Sequence, residues 1–241
     1  MSLSNAEMDT PFYENRAVIG SSLKQPRSQV CLKLARTLSV RRALDLGCGD
    51  GELSVELAKA TAARVVCADI SSVAVEACRQ RGLEAHQVEL GNAPLPFPDG
   101  AFDLVHMEEV IEHVVRPDQS MTEIRRVLEP GGHLILSTPN LACLPNRVLV
   151  PLGFQPLYSE VSEVRVLGRG LSIFGQGGQP VGHLRVYTKR ALMEFMRLSG
   201  FDVIKVRGAA FHWGGPLLFI ERAVATFPGL AMGLVVLARK A

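Results

Sequence analysis

From about residue 28 the chain alternates two hydrophobic periods. Val30, Cys31, Leu34, Ala35 and Leu38 recur at helical spacing,. Residues 42–46 read as a first strand and 52–60 as an amphipathic helix,. Val65-Val66-Cys67-Ala68 is a second strand closed by Asp69, and a helix over 71–79 follows with Ser71 as its N-cap,. A third strand lies within 83–90. A fourth spans 102–107, apolar except for Asp103 and His106. Met121, Ile124, Val127 and Leu128 mark one face of the next helix, and Glu129-Pro130-Gly131-Gly132 supplies its stop,. The fifth strand is 133–137. A helix from Thr188 with Leu192, Phe195 and Met196 on one face stops at Gly200, strand six is 201–206, and 234–237 is a last strand. Strands and helices alternating in this order predict an α/β fold, a parallel sheet with helices on both faces.

Two segments break the rhythm. Residues 141–185 are rich in Gly, Pro and Leu. A structureless loop of that length is uncommon unless it is functional, so this one reads as a cap insertion after strand five. The second break, 208–229, carries His212, Trp213 and an apolar run over 216–220. The expected organisation is an N-terminal extension, 1–27, and one domain, 28–241, with insertions at 141–185 and 208–229.

Composition narrows the function classes. A chain of 241 residues is ample for one large domain with a buried core,. Its 26 basic and 24 acidic residues leave no electrostatic footprint of a general nucleic-acid binder, and no nucleic-acid partner is expected,. Five cysteines (31, 48, 67, 78 and 143) form no C-x-x-C pair and read as reduced thiols of a cytoplasmic protein,. The first residues lack the order of a signal peptide,. No apolar run approaches the ~18 residues of a transmembrane span.

The chemistry begins at Ala43-Leu44-Asp45-Leu46-Gly47-Cys48-Gly49-Asp50-Gly51, where a strand runs through three alternate glycines into a helix. Glycine lets backbone approach a ligand closely, and the helix start offers unpaired N–H groups. Such a turn holds a nucleotide-like ligand over a strand end. The spacing G-x-G-x-G is not the dinucleotide fingerprint G-x-G-x-x-G,. The string, with Asp45 two residues before the first glycine, resembles motif I of class I S-adenosylmethionine (SAM)-dependent methyltransferases. The 95–105 segment leading into strand four and the Glu129-Pro130-Gly131-Gly132-His133-Leu134 turn into strand five match that family as well. The resemblance covers roughly residues 40–140 with the later helix and strand six. It implies a Rossmann-like seven-stranded, mostly parallel sheet with an antiparallel last strand, and SAM as cofactor.

The resemblance also assigns a cofactor set. Asp69, a carboxylate at the end of strand two, is placed to accept the ribose hydroxyls, at close to the ~20-residue spacing expected of such an acid. Ile70 would lie against the adenine, and Asp45 would reach the amino-acid end. Gly47 and Gly49, with Cys48 between them, would let the backbone pass the cofactor. Glu89 and Leu90, with Asn92 as an alternative, would read the adenine edge, and Glu108 at the end of strand four completes the set.

Acceptor chemistry is expected after strand four. Glu109, Glu112 and His113 are spaced i, i+3, i+4, so a helix would place them on one face,. Two carboxylates and an imidazole there suit Mg²⁺ or Mn²⁺. The Glu-x-x-Glu-His pattern resembles the metal site of ubiquinone-pathway O-methyltransferases and of small-RNA 2′-O-methyltransferases. In both groups a further histidine can precede the helix after strand five, a place His183 occupies here. A metal would lower the pKa of an acceptor hydroxyl and orient it. Metal-free acid–base work by His113, Glu112 and His183, or a structural role, stays open beside it. His106 and His133 read as structural. Arg185, Tyr187, His212 and Trp213 are candidate pocket residues. The expectation is O-methylation of a small molecule: a quinone precursor, a phenol or a sugar hydroxyl. The apolar segments suit a lipophilic or bulky glycosidic acceptor, or a homodimer interface. The alternatives are an RNA 2′-O-methyltransferase, an NAD-dependent oxidoreductase and a catalytically silent SAM-binding protein.

Overall fold

The computed structural model describes residues 25–170, 178–210 and 217–241. The elements run α1 (Pro26–Ala35), β1 (Arg42–Leu46), α2 (Glu52–Thr61), β2 (Arg64–Asp69), α3 (Ser72–Gln80), β3 (Glu84–Gln87) and β4 (Phe102–Glu108). A 3₁₀ turn (Ile111–His113) is followed by α4 (Pro117–Val127), β5 (Leu128–Pro139), α5 (Leu144–Leu149), α6 (Lys189–Leu198), β6 (Phe201–Ala209), α7 (Leu217–Ala225) and β7 (Gly233–Lys240). The strands form one seven-stranded sheet in the order β3-β2-β1-β4-β5-β7-β6. β1 to β5 pair in parallel, and β7 is antiparallel to both β5 and β6. The chain's winding direction reverses between β1 and β4, whose ends meet at the pair Leu46↔Met107. Ligands of open α/β sheets bind beyond the strand ends at that point.

Successive side chains of a strand point to opposite faces, so β1 serves two cores at once. Leu44 and Leu46 face Met121, Ile124 and Val127 of α4 with Leu192 and Met196 of α6. Ala43 faces the other way, with Cys31 and Leu34 of α1 and Leu53 and Leu57 of α2. Burial on both faces explains why these strands read as continuous apolar runs.

Two expectations are corrected. The helix ending at Val127 stops before the Glu-Pro-Gly-Gly segment, which lies inside β5. Leu128 is already extended and fully buried, and the pairing with β4 jumps from Phe102↔Leu128 to Leu104↔His133. The Pro-Gly-Gly stretch therefore makes a bulge rather than a helix stop. β3 lies within the expected 83–90, and the Val88 N–H extends its pairing with β2 by donating to Asp69 O at 2.8 Å. Within 208–229, β6 continues to Ala209 and α7 fills 217–225, while His212, Trp213 and Pro216 lie outside the described residues.

The 141–185 segment leaves and rejoins the sheet at one place. Asn140 bridges Tyr187, and Leu141 N donates to Tyr187 O at 2.8 Å. Its α5 packs Cys143 and Leu149 with Leu157 against Met232. Among the described residues no helix is long and apolar enough to cross a membrane.

Asn140 staples this junction. Fully buried, it donates from Nδ2 to Ala231 O at 2.8 Å and accepts at Oδ1 from Ala142 N at 3.1 Å. Asn140→Ala leaves those buried groups unpaired and should cost about 2–3 kcal/mol. Thermal denaturation should show a Tm lowered by several degrees, and an unchanged Tm would disprove the role.

Candidate functional site

The glycine turn leaves β1 at the reversal point. Gly47 has φ +73°, and its N–H donates to Ala68 O at 2.8 Å, tying the turn to the end of β2. A Cβ there would collide with the Val110 side chain, so backbone conformation and packing both select glycine,. Gly49, at φ +53°, donates its N–H to Asp69 Oδ2 at 2.9 Å. Asp69 Oδ1 accepts from Ser71 N at 2.9 Å. Burial raises the Asp69 pKa, against the pull of these two amides. Ser71 is the α3 cap foreseen in the sequence, its side chain accepting from Ala74 N.

A cleft opens over these strand ends. Gly47, Asp69, Ile70, Glu89 and Leu90 line it together with Glu109, Val110, His113 and Val114. Glu89 Oε2 accepts from Asn92 Nδ2 at 2.9 Å, while Glu89 Oε1 is buried without a hydrogen-bond partner among the described residues. An unpaired buried carboxylate oxygen at a cleft wall is what a hydrogen-donating ligand satisfies.

Three residues expected in the cofactor set turn away from this cleft. Asp45 is 2% exposed; it accepts from Ser54 Oγ at 2.6 Å and pairs with His106 Nδ1 at 2.7 Å. Cys48 directs its sulfur beneath the turn, 3.5 Å from Cys78 Sγ. Glu108 Oε1 accepts from Ser28 Oγ at 2.6 Å and Arg27 Nε at 3.2 Å, and its Oε2 lies 3.8 Å from His106 Nε2. Burial alone would discharge His106, yet the Asp45 carboxylate outweighs it and raises the pKa. His106 thus lies buried between two carboxylates that favour its charged form. Arg27 and Ser28 were missed because they straddle the boundary between the expected extension and the domain, with no motif around them.

The helix expected from Glu109 to His113 is absent; only the single 3₁₀ turn forms. Glu109 takes φ +55° because its N–H continues the β4–β5 pairing by donating to Ser137 O at 3.1 Å. Its carboxylate accepts from Ser137 Oγ at 3.0 Å and lies 3.9 Å from Arg27 Nε. Glu109 therefore does not share a face with the other two, and it stands outside the Glu112, His113 and His183 group, whose ligand atoms lie within 4.8 Å of one another.

Glu112 is fully buried. Its Oε2 accepts from Thr138 Oγ1 at 3.0 Å, its Oε1 has no hydrogen-bond partner among the described residues, and burial, then the Glu109 charge, push its pKa well up. Its backbone oxygen accepts from Leu184 N and Arg185 N at 2.9 and 3.1 Å, which brings the 141–185 segment against the turn. His113 Nδ1 lies 2.9 Å from Gly182 O, and His183 Nδ1 lies 2.9 Å from Tyr158 O. A carbonyl only accepts, so each Nδ1 carries the hydrogen. The two rings are 4.9 Å apart. Burial lowers the His183 pKa and keeps that ring neutral. Glu160 holds the strap that carries His183, accepting from Val181 N, Gly182 N and His183 N at 2.8, 2.8 and 3.2 Å. Glu160 and Tyr158 carried no signal in the sequence. Arg185, a candidate pocket residue, donates instead to Val114 O and Val115 O.

A sheet with a reversed last strand, and a glycine turn over its switch point, define a nucleotide-binding domain of the methyltransferase type. Residues 44–136 match the family model described as "Methyltransferase domain". Over those residues the chain carries a methyltransferase domain, and it resembles the class I SAM-dependent methyltransferases. It is 36% identical over 122 residues to a demethylmenaquinone methyltransferase of Thermus thermophilus, covering 48% of this chain and 54% of that one. A ubiquinone biosynthesis O-methyltransferase of Methylococcus capsulatus is 29% identical over 180 residues, covering 73% and 69%. The N-methyltransferase NodS of Bradyrhizobium japonicum, solved with S-adenosyl-L-homocysteine, shares the fold at TM-score 0.61 and 15% identity, covering 96% and 98%. The chain spans about half the length of the curated relatives it matches.

The raised Glu112 pKa has a stability consequence. A carboxyl whose folded pKa exceeds its unfolded value stabilises the fold below the unfolded value, near 4.3, and that stabilisation is lost as pH rises through the folded one. Glu112→Gln removes this liability. Its Tm should exceed that of the parent at pH 7–8, by roughly 2–4 °C for each kcal/mol relieved, with the gain vanishing toward pH 4. A Tm difference independent of pH would contradict the assignment.

Proposed function

We propose that this chain transfers a methyl group from SAM to a hydroxyl oxygen of a small molecule, with quinone precursors, other phenols and sugar hydroxyls as acceptor classes. One observation carries the reading: Glu112, buried with one oxygen unpaired, packs with His113 and His183 beside a cleft anchored by Asp69. The quinone-related names of two relatives support the acceptor class.

Asp69, held by the Gly49 and Ser71 amides, accepts the ribose hydroxyls. Ile70 covers the adenine, and the unpaired Glu89 oxygen takes a hydrogen from the nucleoside. Asp45, Cys48 and Glu108 support the turn and the β4 end from beneath, without touching the cofactor. SAM supplies a methyl group on a sulfonium, and its loss to an acceptor oxygen leaves a neutral thioether. His183, through Nε2, takes the acceptor's proton, and Glu112 with His113 orients the hydroxyl and balances the charge. The 141–185 segment caps the acceptor side. Its exposed Val148 and Leu152 suit a lipophilic acceptor or a second copy of the chain. The free cysteines suit a reducing compartment such as the cytoplasm,.

Glu112, His113 and His183 also fit a divalent cation, and this is the second reading. With Glu109 outside the group, one carboxylate and two imidazoles are a donor set poorer in oxygen, favouring Mn²⁺ over Mg²⁺,. A metal there would acidify a bound hydroxyl.

Three results are expected. Labelled SAM should pass its methyl to a catechol or other phenolic quinone precursor, or to a sugar. Binding of NAD without SAM, transfer only to RNA, or SAM binding with no transfer to any acceptor would each replace the reading. Activity should fall on the acid side with an apparent pKa below histidine's usual value of about 6.5. EDTA that leaves the rate unchanged decides for metal-free acid–base work, and loss restored by Mn²⁺ decides for the metal. Asp69→Asn should weaken SAM binding roughly 10- to 100-fold by calorimetry, the worth of a hydrogen bond to a charged group.

A further inference from the structure

Three cysteines meet beneath the glycine turn. Cys48 belongs to the turn, Cys67 to β2 and Cys78 to α3, and their sulfurs lie within 4.8 Å of one another. All three are free thiols, with Cys67 and Cys78 fully buried and Cys48 7% exposed. Cys48 Sγ is 3.5 Å from Cys78 Sγ, and Cys78 donates to Gly49 O at 3.4 Å. The same Gly49 donates its N–H to Asp69. The dithiol is therefore wired to the residue that orients the ribose-binding carboxylate.

Charge decides what this cluster does. The charged groups acting on the three thiols are Asp45, Asp50 and Asp69, all carboxylates. Three thiolates around a soft metal ion would add negative charge to a buried, already negative place. A disulfide is neutral and carries no such cost. For the single Cys78 sulfur, hydrogen bonds with Cys48 and Cys67 outweigh burial and the Asp45 and Asp50 charges and hold its pKa below the ordinary thiol range, which makes it the nucleophile of the pair,.

We propose that Cys48 and Cys78 are an oxidation site: a hydroperoxide converts them to a disulfide that pulls the glycine turn off its cofactor-binding shape. The Cys78 thiolate attacks the O–O bond; an S–O bond forms and hydroxide leaves, taking up the thiol's proton as water. The Cys48 sulfur then forms the S–S bond while the S–O bond breaks, and the second oxygen leaves as water with the Cys48 proton. Two thiols are oxidised and one peroxide is reduced. Closing 3.5 Å to the ~2.05 Å of a disulfide drags Cys48, and with it Gly49, toward α3,. Bound SAM holds the turn in its open-thiol form and slows the closure. The effect on affinity rests on the SAM reading of the turn; the cross-link does not.

The test treats the reduced full chain with hydrogen peroxide. Intact mass should fall by two hydrogens, peptide mapping should return a Cys48–Cys78 link, and the link should form more slowly with SAM present. Calorimetry should show SAM affinity reduced roughly tenfold or more, and dithiothreitol should restore it. Cys78→Ser keeps a donor for Gly49 O and should bind SAM like the parent while resisting peroxide; Cys143→Ala should still cross-link. The proposal is overturned if no Cys48–Cys78 link forms, if linked protein binds SAM undiminished, or if the purified chain holds a stoichiometric metal on these thiols. Should the reduced chain fail to bind SAM, the cofactor reading falls while the link is still judged by mass.

Discussion

The Asp45 carboxylate at the end of β1 organises the site. It is buried with a hydrogen bond from Ser54 of α2 on one oxygen and His106 of β4 on the other. A lone ionised carboxylate there would be prohibitively costly to bury. His106 makes it tolerable, and Glu108 makes His106 tolerable in turn. Arg27 and Ser28 of α1 then complete the chain. Four elements are locked at the point where the sheet reverses direction, and the glycine turn emerges from that lock with its shape already set. Removing one partner would expose the rest to an unpaired buried charge, so the network acts as one unit.

Much of this was legible in the sequence, for physical reasons. The parallel strands are buried on both faces and read as apolar runs whose limits were nearly right, as with 42–46. The Ser71 cap, the Thr188 start and the Gly200 stop are local chemistry, and local chemistry survives folding. What the sequence misplaced depends on partners far along the chain. Glu109 leaves the helical spacing because Ser137 claims its N–H. Leu128 begins a strand because the core opposite Phe102 needs it extended. Asp45, Cys48 and Glu108 stand where the resemblance puts cofactor residues, but their side chains answer to His106, Cys78 and Arg27.

The Glu112, His113 and His183 group is assembled differently from the Asp69 wall of the cleft. Asp69 and its amides come from neighbouring strand ends and need only the sheet. Glu112 and His113 sit on a single 3₁₀ turn, too short to hold itself, and are fixed from outside by Gly182, Leu184 and Arg185. His183 is fixed in turn by Tyr158 and by the Glu160 carboxylate under its strap. Pattern reading finds the histidines but not Glu160, because a carboxylate that binds backbone amides leaves no periodic trace.

The junction at Asn140 and Tyr187 bears on how such a domain diversifies. The two ends of the long excursion are hydrogen-bonded to each other, so its length is almost decoupled from the sheet. Doubling a flexible loop between fixed ends costs only about 0.6 kcal/mol. Lineages can therefore lengthen, trim or exchange this stretch as a cassette while the sheet and the glycine turn are inherited intact. The family model's match, residues 44–136, ends just before the junction.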